Sequence, residues 1–472
     1  MTTETIVALI VVLIAFLGML AIRLHVGLSL MIAGALGIVM LLSTDGALST
    51  VANQPYSTSA SYTLTVIPLF ILMGVFAVNA RLAEAGFDAA SRTLVKVPGG
   101  PALASLTGSG FFAAVTGSSV ATVATMARVS TDAILKAGYG IRLAAGVVCA
   151  GGTLGVLIPP SIILVLYAVV TGVSIGPMLL AGIGPGLLTI LAYAVTIVLL
   201  VLIGRRKQVR TKETVSASSA PVQDLDDDPV PVTNPGAMGG APASPAARQD
   251  KPRFDVVGLL FLAVIFLVSI GTIYMGVATP TEAASFGAMA ALLILLIRTR
   301  PPMWLSVIRQ SLTEAVGLTA MTFLLMVGAG VFTYFLAFSG VSRALVDTVV
   351  DADMSPYVVL ICCLLLLIPL GMFLDGVSMI LIAAPLLHPI LSAYGFEEIW
   401  IGILVVKVAE MALITPPVGM NAFVYSGSVP EAGLGRIFRG IAPFIIADVV
   451  VVAVLIMIPE IVTFLPEYSA AE

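Results

Sequence analysis

Charged residues are scarce in this chain: 10% of its 472 residues are Asp, Glu, Lys or Arg, against roughly 25% in a soluble domain. Imidazole and thiol groups are scarcer still, with two histidines (His25, His388) and three cysteines (Cys149, Cys362, Cys363). The cysteines lie in apolar runs without ligand spacing, which excludes a zinc site or a disulfide framework. No nucleophile and base or metal cluster of the kind an enzyme needs is visible, and the isolated histidines fit packing or interfacial positions. Strict apolar–polar alternation is missing too, so a transmembrane β-barrel is excluded. The start, MTTE, lacks the positive region of a secretory signal, and the first apolar run is expected to be a retained helix.

Apolar residues make up 59% of the chain, with 44 Gly and 28 Pro, a balance expected where membrane helices pack closely and some are broken. Crossing a bilayer takes about 20 apolar residues. Suitable stretches lie near 5–22, 24–44, 63–80, 100–127, 140–170, 178–203, 256–275, 280–298, 313–337, 355–394, 398–428 and 437–462. An all-α integral membrane protein follows.

Residues 204–255, with RRKQVR, QDLDDD and a Pro/Ala/Gly/Ser-rich stretch, are expected to form a disordered linker between a first half, 1–203, and a second, 256–472. The halves repeat one another. TGSSVATVA (116–124) aligns with DGVSMILIA (375–383) at an offset of 259, and TLGVLIPPSIILVLYA (153–168) with EMALITPPVGMNAFVY (410–425) at 257. If 100–127 and 355–394 are re-entrant hairpins, each half crosses five times and the second half is inverted. With the linker in the cytoplasm and both termini outside, nearly all Lys and Arg fall inside. Only Arg343 lies outside and Lys407 within a span, while the outer loop 43–62 has neither Lys nor Arg.

Helix breaks mark the chemistry. Pro159-Pro160 and Pro416-Pro417 must interrupt the helices 140–170 and 398–428, freeing carbonyls from Thr153 to Ile158 and from Met411 to Thr415 that suit a monovalent cation. The hairpin tips Thr116, Gly117, Ser118, Ser119, Val120 and Asp375, Gly376, Val377, Ser378 add hydroxyls and one carboxylate. Oxygen ligands alone fit Na⁺ and no transition metal. Helix capping by the hydroxyls is the plainer reading of any single tip residue, and recurrence in both halves favours a site. Thr122, Thr125 and Asn421, with Ser118 and Ser119, are expected beside an organic substrate, with plain helix–helix hydrogen bonding the equal alternative for the first three. Lys407 and Glu410, three residues apart, are expected to form an intramembrane ion pair.

The runs LTVIPLFILMG (64–74), GFFAAVTGSSVATVATM (110–126), GTLGVLIPPSIILVLYAVVTGVSIGPMLLAGIGPGLL (152–188), GMFLDGVSMILIAAPLLHPI (371–390) and ITPPVGMNAFVYSG (414–427) resemble the large membrane subunit of tripartite ATP-independent periplasmic (TRAP) transporters. The resemblance implies an elevator-type secondary transporter of the bacterial inner membrane. It works with a small four-helix membrane subunit and a periplasmic substrate-binding protein, and imports an organic acid such as a dicarboxylate, sialic acid or keto acid. It also implies no cofactor beyond Na⁺ as coupling ion, and no nucleic acid. One Na⁺ site would join Thr116–Val120 to Gly152, Thr153, Gly155 and Ile158; the other would join Asp375, Gly376 and Ser378 to Met411, Thr415 and Met420. No GxxxxGK[ST] loop is present, in keeping with ion-gradient drive. The long acidic linker departs from the family pattern, and no Arg stands by to pin a carboxylate. A stand-alone cation-coupled anion carrier is the alternative; a channel or enzyme fits less well.

Overall fold

The computed structural model describes residues 3–94, 96–215, 255–351 and 354–470. These are helical throughout, with no strand among them. The sequence supplies long apolar stretches, and in hydrocarbon a helix satisfies its own backbone hydrogen bonds. Nine described helices are long and apolar enough to cross a membrane, and ten if the bent pair Ile141–Leu157 and Ile162–Thr171 is one span.

Three apolar helices near the start of each half interlock across the halves, the shorter Val26–Leu41 among them. Val26–Leu41 packs on Trp304–Ser339, and Pro280–Arg298 packs on Val66–Asn79, so the second apolar helix of either half meets the third of the other. Small residues set the distance: a Cβ on Gly328 would fall 1.9 Å from the Gly27 carbonyl oxygen, so any side chain there forces the two backbones apart. An amphipathic arm follows in each half, Leu82–Thr93 and Val341–Asp351. A helical hairpin comes next: Gly100–Thr116 with Ser119–Lys136 in the first half, Pro356–Phe373 with Gly376–Ala393 in the second. A broken helix comes after it, Ile141–Leu157 with Ile162–Thr171, then Glu398–Ala412 with Met420–Ser428. The helix Leu434–Met457 of the second half packs on Ile141–Leu157 of the first, at a point where Cβ atoms on Gly146 and Gly440 would meet backbone oxygens at 2.2 and 2.0 Å.

Several expectations need adjustment. The stretch 43–62, expected to be a loop, holds a helix, Thr44–Ser59, capped by the Ser43 hydroxyl. The first hairpin runs to Lys136, beyond 127, because the polar stretch after Ala127 continues a helix with a buried face of Ser130, Thr131 and Ile134. The last span of the first half continues as the helix Ile183–Val215, past the boundary at 203. Of the linker, 216–254 lie outside the described residues.

The repeat also shifts by two residues at the hairpin. Ser118 and Asp375 are the N-caps of Ser119–Lys136 and Gly376–Ala393, helices of 18 residues each. Their interval of 257 (118 to 375) equals that between the Pro–Pro pairs (159 to 416) and between the starts of the broken helices (141 to 398). The cap, not the Gly of the motif, fixes the register: Ser118 corresponds to Asp375, where the motif match had put Thr116.

Candidate functional site

The two hairpin turns and the two breaks meet in the interior. Both breaks contain a cis Pro–Pro bond, Pro159-Pro160 and Pro416-Pro417, and the first bends its helix by 45°. The first turn lies against the first break: a Cβ on Gly117 would be 3.1 Å from the Pro160 carbonyl oxygen and 3.2 Å from the Ile162 nitrogen. Gly117 has φ +58°, a left-handed conformation that glycine adopts without cost, so the chain can turn there and still touch the break. The second turn lies against the second break, where a Cβ on Gly376 would be 2.9 Å from Glu410 Oε1 and 3.8 Å from Leu413.

Between the turns is a cleft of about 260 Å³. Thr116 to Ala121 and Asp375 to Val377 form two sides, Ile162, Ile163, Glu410 and Leu413 come from the broken helices, and the remaining wall is Val66–Asn79 and Trp304–Ser339, which contribute Val75, Glu314 and Thr322 among others. Helices begin at Ser119, Ile162 and Gly376, all at the cleft, so three N-terminal ends bring their partial positive charge to it. Among the described residues, three carboxylates, Glu314, Asp375 and Glu410, line the same space, and no Lys, Arg or His does. Such a cleft suits a cation at the carboxylates together with an anionic group at the helix ends.

The expected site residues divide accordingly. Thr116, Gly117, Ser118, Ser119, Val120, Asp375 and Gly376 line the cleft; Thr122, Thr125, Thr153, Gly155, Ile158, Ser378, Met411, Thr415, Met420 and Asn421 do not. Thr122 is buried and donates to the Ser118 carbonyl at 2.8 Å, which ties the first turn of its helix. Gly155 backs the turn, since a Cβ there would be 3.5 Å from the Ser118 carbonyl. Asn421 Nδ2 donates to the Cys149 carbonyl at 3.3 Å, a bond between the two broken helices and away from the cleft. Asp375 caps its own helix: Oδ2 accepts from the Ser378 backbone N–H at 3.3 Å, and Oδ1 accepts from the Ser378 hydroxyl. The carbonyls of the second break are in large part occupied. Met411 O accepts from Ile414 N–H and the Thr415 hydroxyl, Ala412 O from Thr415 N–H, and Leu413 O from Asn421 N–H. Met411 O already accepts two bonds, whereas a second lone pair on the Ala412 and Leu413 carbonyls leaves room for a cation.

The ion pair expected between Lys407 and Glu410 does not form. Lys407 Nζ binds Asp448 Oδ1 at 2.5 Å, with both side chains at most 1% exposed, and lies 5.6 Å from the centre of the Tyr193 ring. Tyr193 donates its hydroxyl to Asp448 at 2.8 Å, and Thr153 Oγ1 is 3.1 Å from that hydroxyl. A buried ion pair persists only when surrounding polar groups complete it, and Tyr193 does this. Helical spacing relates residues of one helix only, so it cannot find a partner on another; Asp448, a lone acid in an apolar helix, was itself the available signal. Glu410 turns instead to the first hairpin, where Ser119 Oγ donates to its Oε2. Glu314, the one acid of the helix Trp304–Ser339, carried the same signal as Asp448, whereas nothing sets Thr322 apart until the helix is folded. The histidines do pack: His388 Nδ1 meets the Tyr167 hydroxyl at 2.9 Å, and His25 Nδ1 caps Gly27 N–H at 3.2 Å.

A family model described as the tripartite ATP-independent periplasmic transporter, DctM component, matches residues 13–461. A C4-dicarboxylate TRAP transporter large permease protein of Pseudomonas aeruginosa is 32% identical over 93% of this chain and 94% of its own length. A sialic acid TRAP transporter large permease protein of Vibrio cholerae is 27% identical, with 96% and 97% covered. Among solved structures, the YdaH transporter of Alcanivorax borkumensis aligns with a TM-score of 0.57 at 14% identity, covering 88% and 89% of the two chains, a likeness of fold.

Proposed function

The chain belongs to the DctM component family of tripartite ATP-independent periplasmic transporters, as a multi-pass large permease, and we propose that it imports an organic anion by sodium-coupled elevator motion. The single observation behind this reading is the cleft in which both hairpin turns meet both broken helices, facing the interlocked spans. In this reading the hairpins and broken helices, 100–171 and 356–428, move as one body against the spans that open each half. The hairpins are re-entrant and the second half is inverted. The arms of the second hairpin, 18 residues each, are long enough to cross a thin bilayer, but full crossing would scatter the basic residues over both faces. The linker and most Lys and Arg are cytoplasmic, the termini periplasmic, and the membrane is the bacterial inner one.

Sodium would sit where each turn adjoins its break, the first site using Thr116 to Val120 with Thr153, Gly155 and Ile158, the second Asp375, Gly376 and Ser378 with Met411, Thr415 and Met420. Oxygen-rich ligands of this kind fit a hard monovalent cation. The substrate carboxylate would meet the helix ends at Ser119, Ile162 and Gly376, with Na⁺ supplying the charge that no Arg provides. Relatives named for C4-dicarboxylate and sialic acid put the cargo in the organic-acid class. A small four-helix membrane subunit and a periplasmic binding protein complete the assembly.

The test is uptake of labelled organic acids into proteoliposomes holding this chain and its small subunit, with and without the binding protein, under an imposed Na⁺ gradient. Uptake is expected to require both gradient and binding protein. Gradient-driven uptake by this chain alone would replace this reading with that of a stand-alone carrier. Asp375→Ala and Ser119→Ala should each flatten the Na⁺ titration of uptake, and two titrations like that of the wild type would sink the site assignment.

A further inference from the structure

Glu410 is fully buried, near the end of the helix Glu398–Ala412. A carboxylate in such a place must be paired or neutralised, because the desolvation of an isolated charge is prohibitive. Its Oε2 is taken by the Ser119 hydroxyl of the first turn. Its Oε1 has no hydrogen-bond partner among the described residues and points to Gly376 of the second turn, where a Cβ would come within 2.9 Å of it. The basic residue one turn earlier, Lys407, is committed to Asp448. Among the described residues that line the cleft, none is basic. The carboxylate therefore stands between the two turns with one oxygen bound to the first and the other open to the second.

We propose that Glu410 is the anionic ligand of a monovalent cation held at the junction of the two hairpin turns, with Oε1 as the ligating atom. This rests on the sodium-coupled reading above and adds a residue that neither turn supplies. A Cβ on Gly376 would come 2.7 Å from Ile163 Cδ1 and 2.9 Å from Glu410 Oε1, so a side chain there would crowd both the first broken helix and the space beside the carboxylate. The Ser119 bond fixes the carboxylate so that a cation arriving at the second turn is felt at the first. Occupancy would draw the two turns together and discharge the buried charge in one step. Only oxygen atoms are offered at Oε1, the cleft side of Ser119 and the Asp375–Gly376 turn, which selects Na⁺ over softer metals.

The experiment is a thermal melt of the purified full chain against NaCl, with choline chloride holding ionic strength constant. Glu410→Gln keeps the acceptor for Ser119 and removes the charge, so the Na⁺ concentration for half-maximal stabilisation should rise by about tenfold or more, since loss of even an outer-shell partner weakens metal binding by that much. Glu410→Asp keeps the charge one methylene further back and should give a smaller rise. Gly376→Ala should weaken Na⁺ stabilisation with the carboxylate intact. A wild-type midpoint in Glu410→Gln, or in Glu410→Asp should the former fail to fold, overturns the proposal while leaving the sodium reading standing. A wild-type chain that Na⁺ does not stabilise overturns both. Loss of a pH dependence in Glu410→Gln with an unchanged Na⁺ midpoint would make the occupant a proton and overturn the cation site.

Discussion

The turn of the first hairpin is capped by a hydroxyl, Ser118, through a bond of 3.4 Å from Ala121 N–H, while that of the second is capped by a carboxylate, Asp375, with both oxygens bound by Ser378. The first break is short, from Leu157 to Ile162; the second is wider, from Ala412 to Met420. Asp375, Lys407 and Glu410 correspond at the common interval to Ser118, Ala150 and Thr153. The two halves thus share a scaffold and divide the chemistry: one side of the cleft is neutral and made of hydroxyls and helix ends, the other charged. Duplication preserved where the chain turns and breaks, and left the side chains free to differ.

The largest expected effect breaks the charged half at its ion pair. Lys407→Met leaves Asp448 buried without its counter-charge, and should cost about 3–5 kcal/mol in reversible unfolding in detergent. Replacing both partners, Lys407→Met with Asp448→Leu, should recover most of that. A Lys407→Met chain as stable as the wild type would show that the pair is dispensable. Tyr193→Phe, which removes the hydroxyl that donates to Asp448 and meets Thr153 but leaves the pair, should cost about 1.5–3 kcal/mol.

The caps sharpen the contrast at smaller scale. Asp375→Ala should destabilise by about 1 to 2 kcal/mol and Ser118→Ala by about half as much, the range of helix N-caps. The order should persist in choline, where Na⁺ plays no part. Equal losses would mean that the second carboxylate does no more for its helix than the first hydroxyl. The smallest effect lies away from the cleft, at Asp255, which pairs with Arg298 at 2.6 Å with both side chains about a quarter exposed. Partial burial raises its pKa, but hydrogen bonds from Arg298 and the Gly258 N–H outweigh this and hold the carboxyl below its usual range. Its contribution is therefore present above the unfolded carboxylate pKa and lost as pH falls through the folded one. Screening limits it to about 0.5 kcal/mol or less, and Asp255→Asn should melt within that margin at neutral pH and show no change in Na⁺ dependence.

What the amino-acid sequence revealed was what proline, glycine and apolar length control. Pro159-Pro160 and Pro416-Pro417 marked the breaks because two successive prolines remove adjacent N–H donors, where single prolines such as Pro55, Pro369 and Pro385 stay within helices, and the apolar runs marked the spans. Thr44–Ser59 escaped because TDGALSTVANQPYSTS is polar and holds Pro55; packing on Val26–Leu41 and Trp304–Ser339 supplies what propensity does not. The offset of 259 was a match of letters, whereas the cap decides where a helix starts. The partners of Lys407 and Glu410 lie 41 and 291 residues away, on helices whose approach no local pattern encodes.

The common interval also makes the chain its own gauge. In both halves the same length of chain runs from cap to Pro–Pro pair, 118 to 159 and 375 to 416, so the contact of turn and break is set by counting residues along two helices. Each residue of a helix turns it by about 100° and advances it by about 1.5 Å. Removing one from Ile141–Leu157 would swing Thr153 and the first break off the turn it abuts, while removing one from the linker would leave both halves in register. Insertions and deletions should therefore accumulate in lineages of this chain outside the two gauged stretches, whatever the side chains within them become.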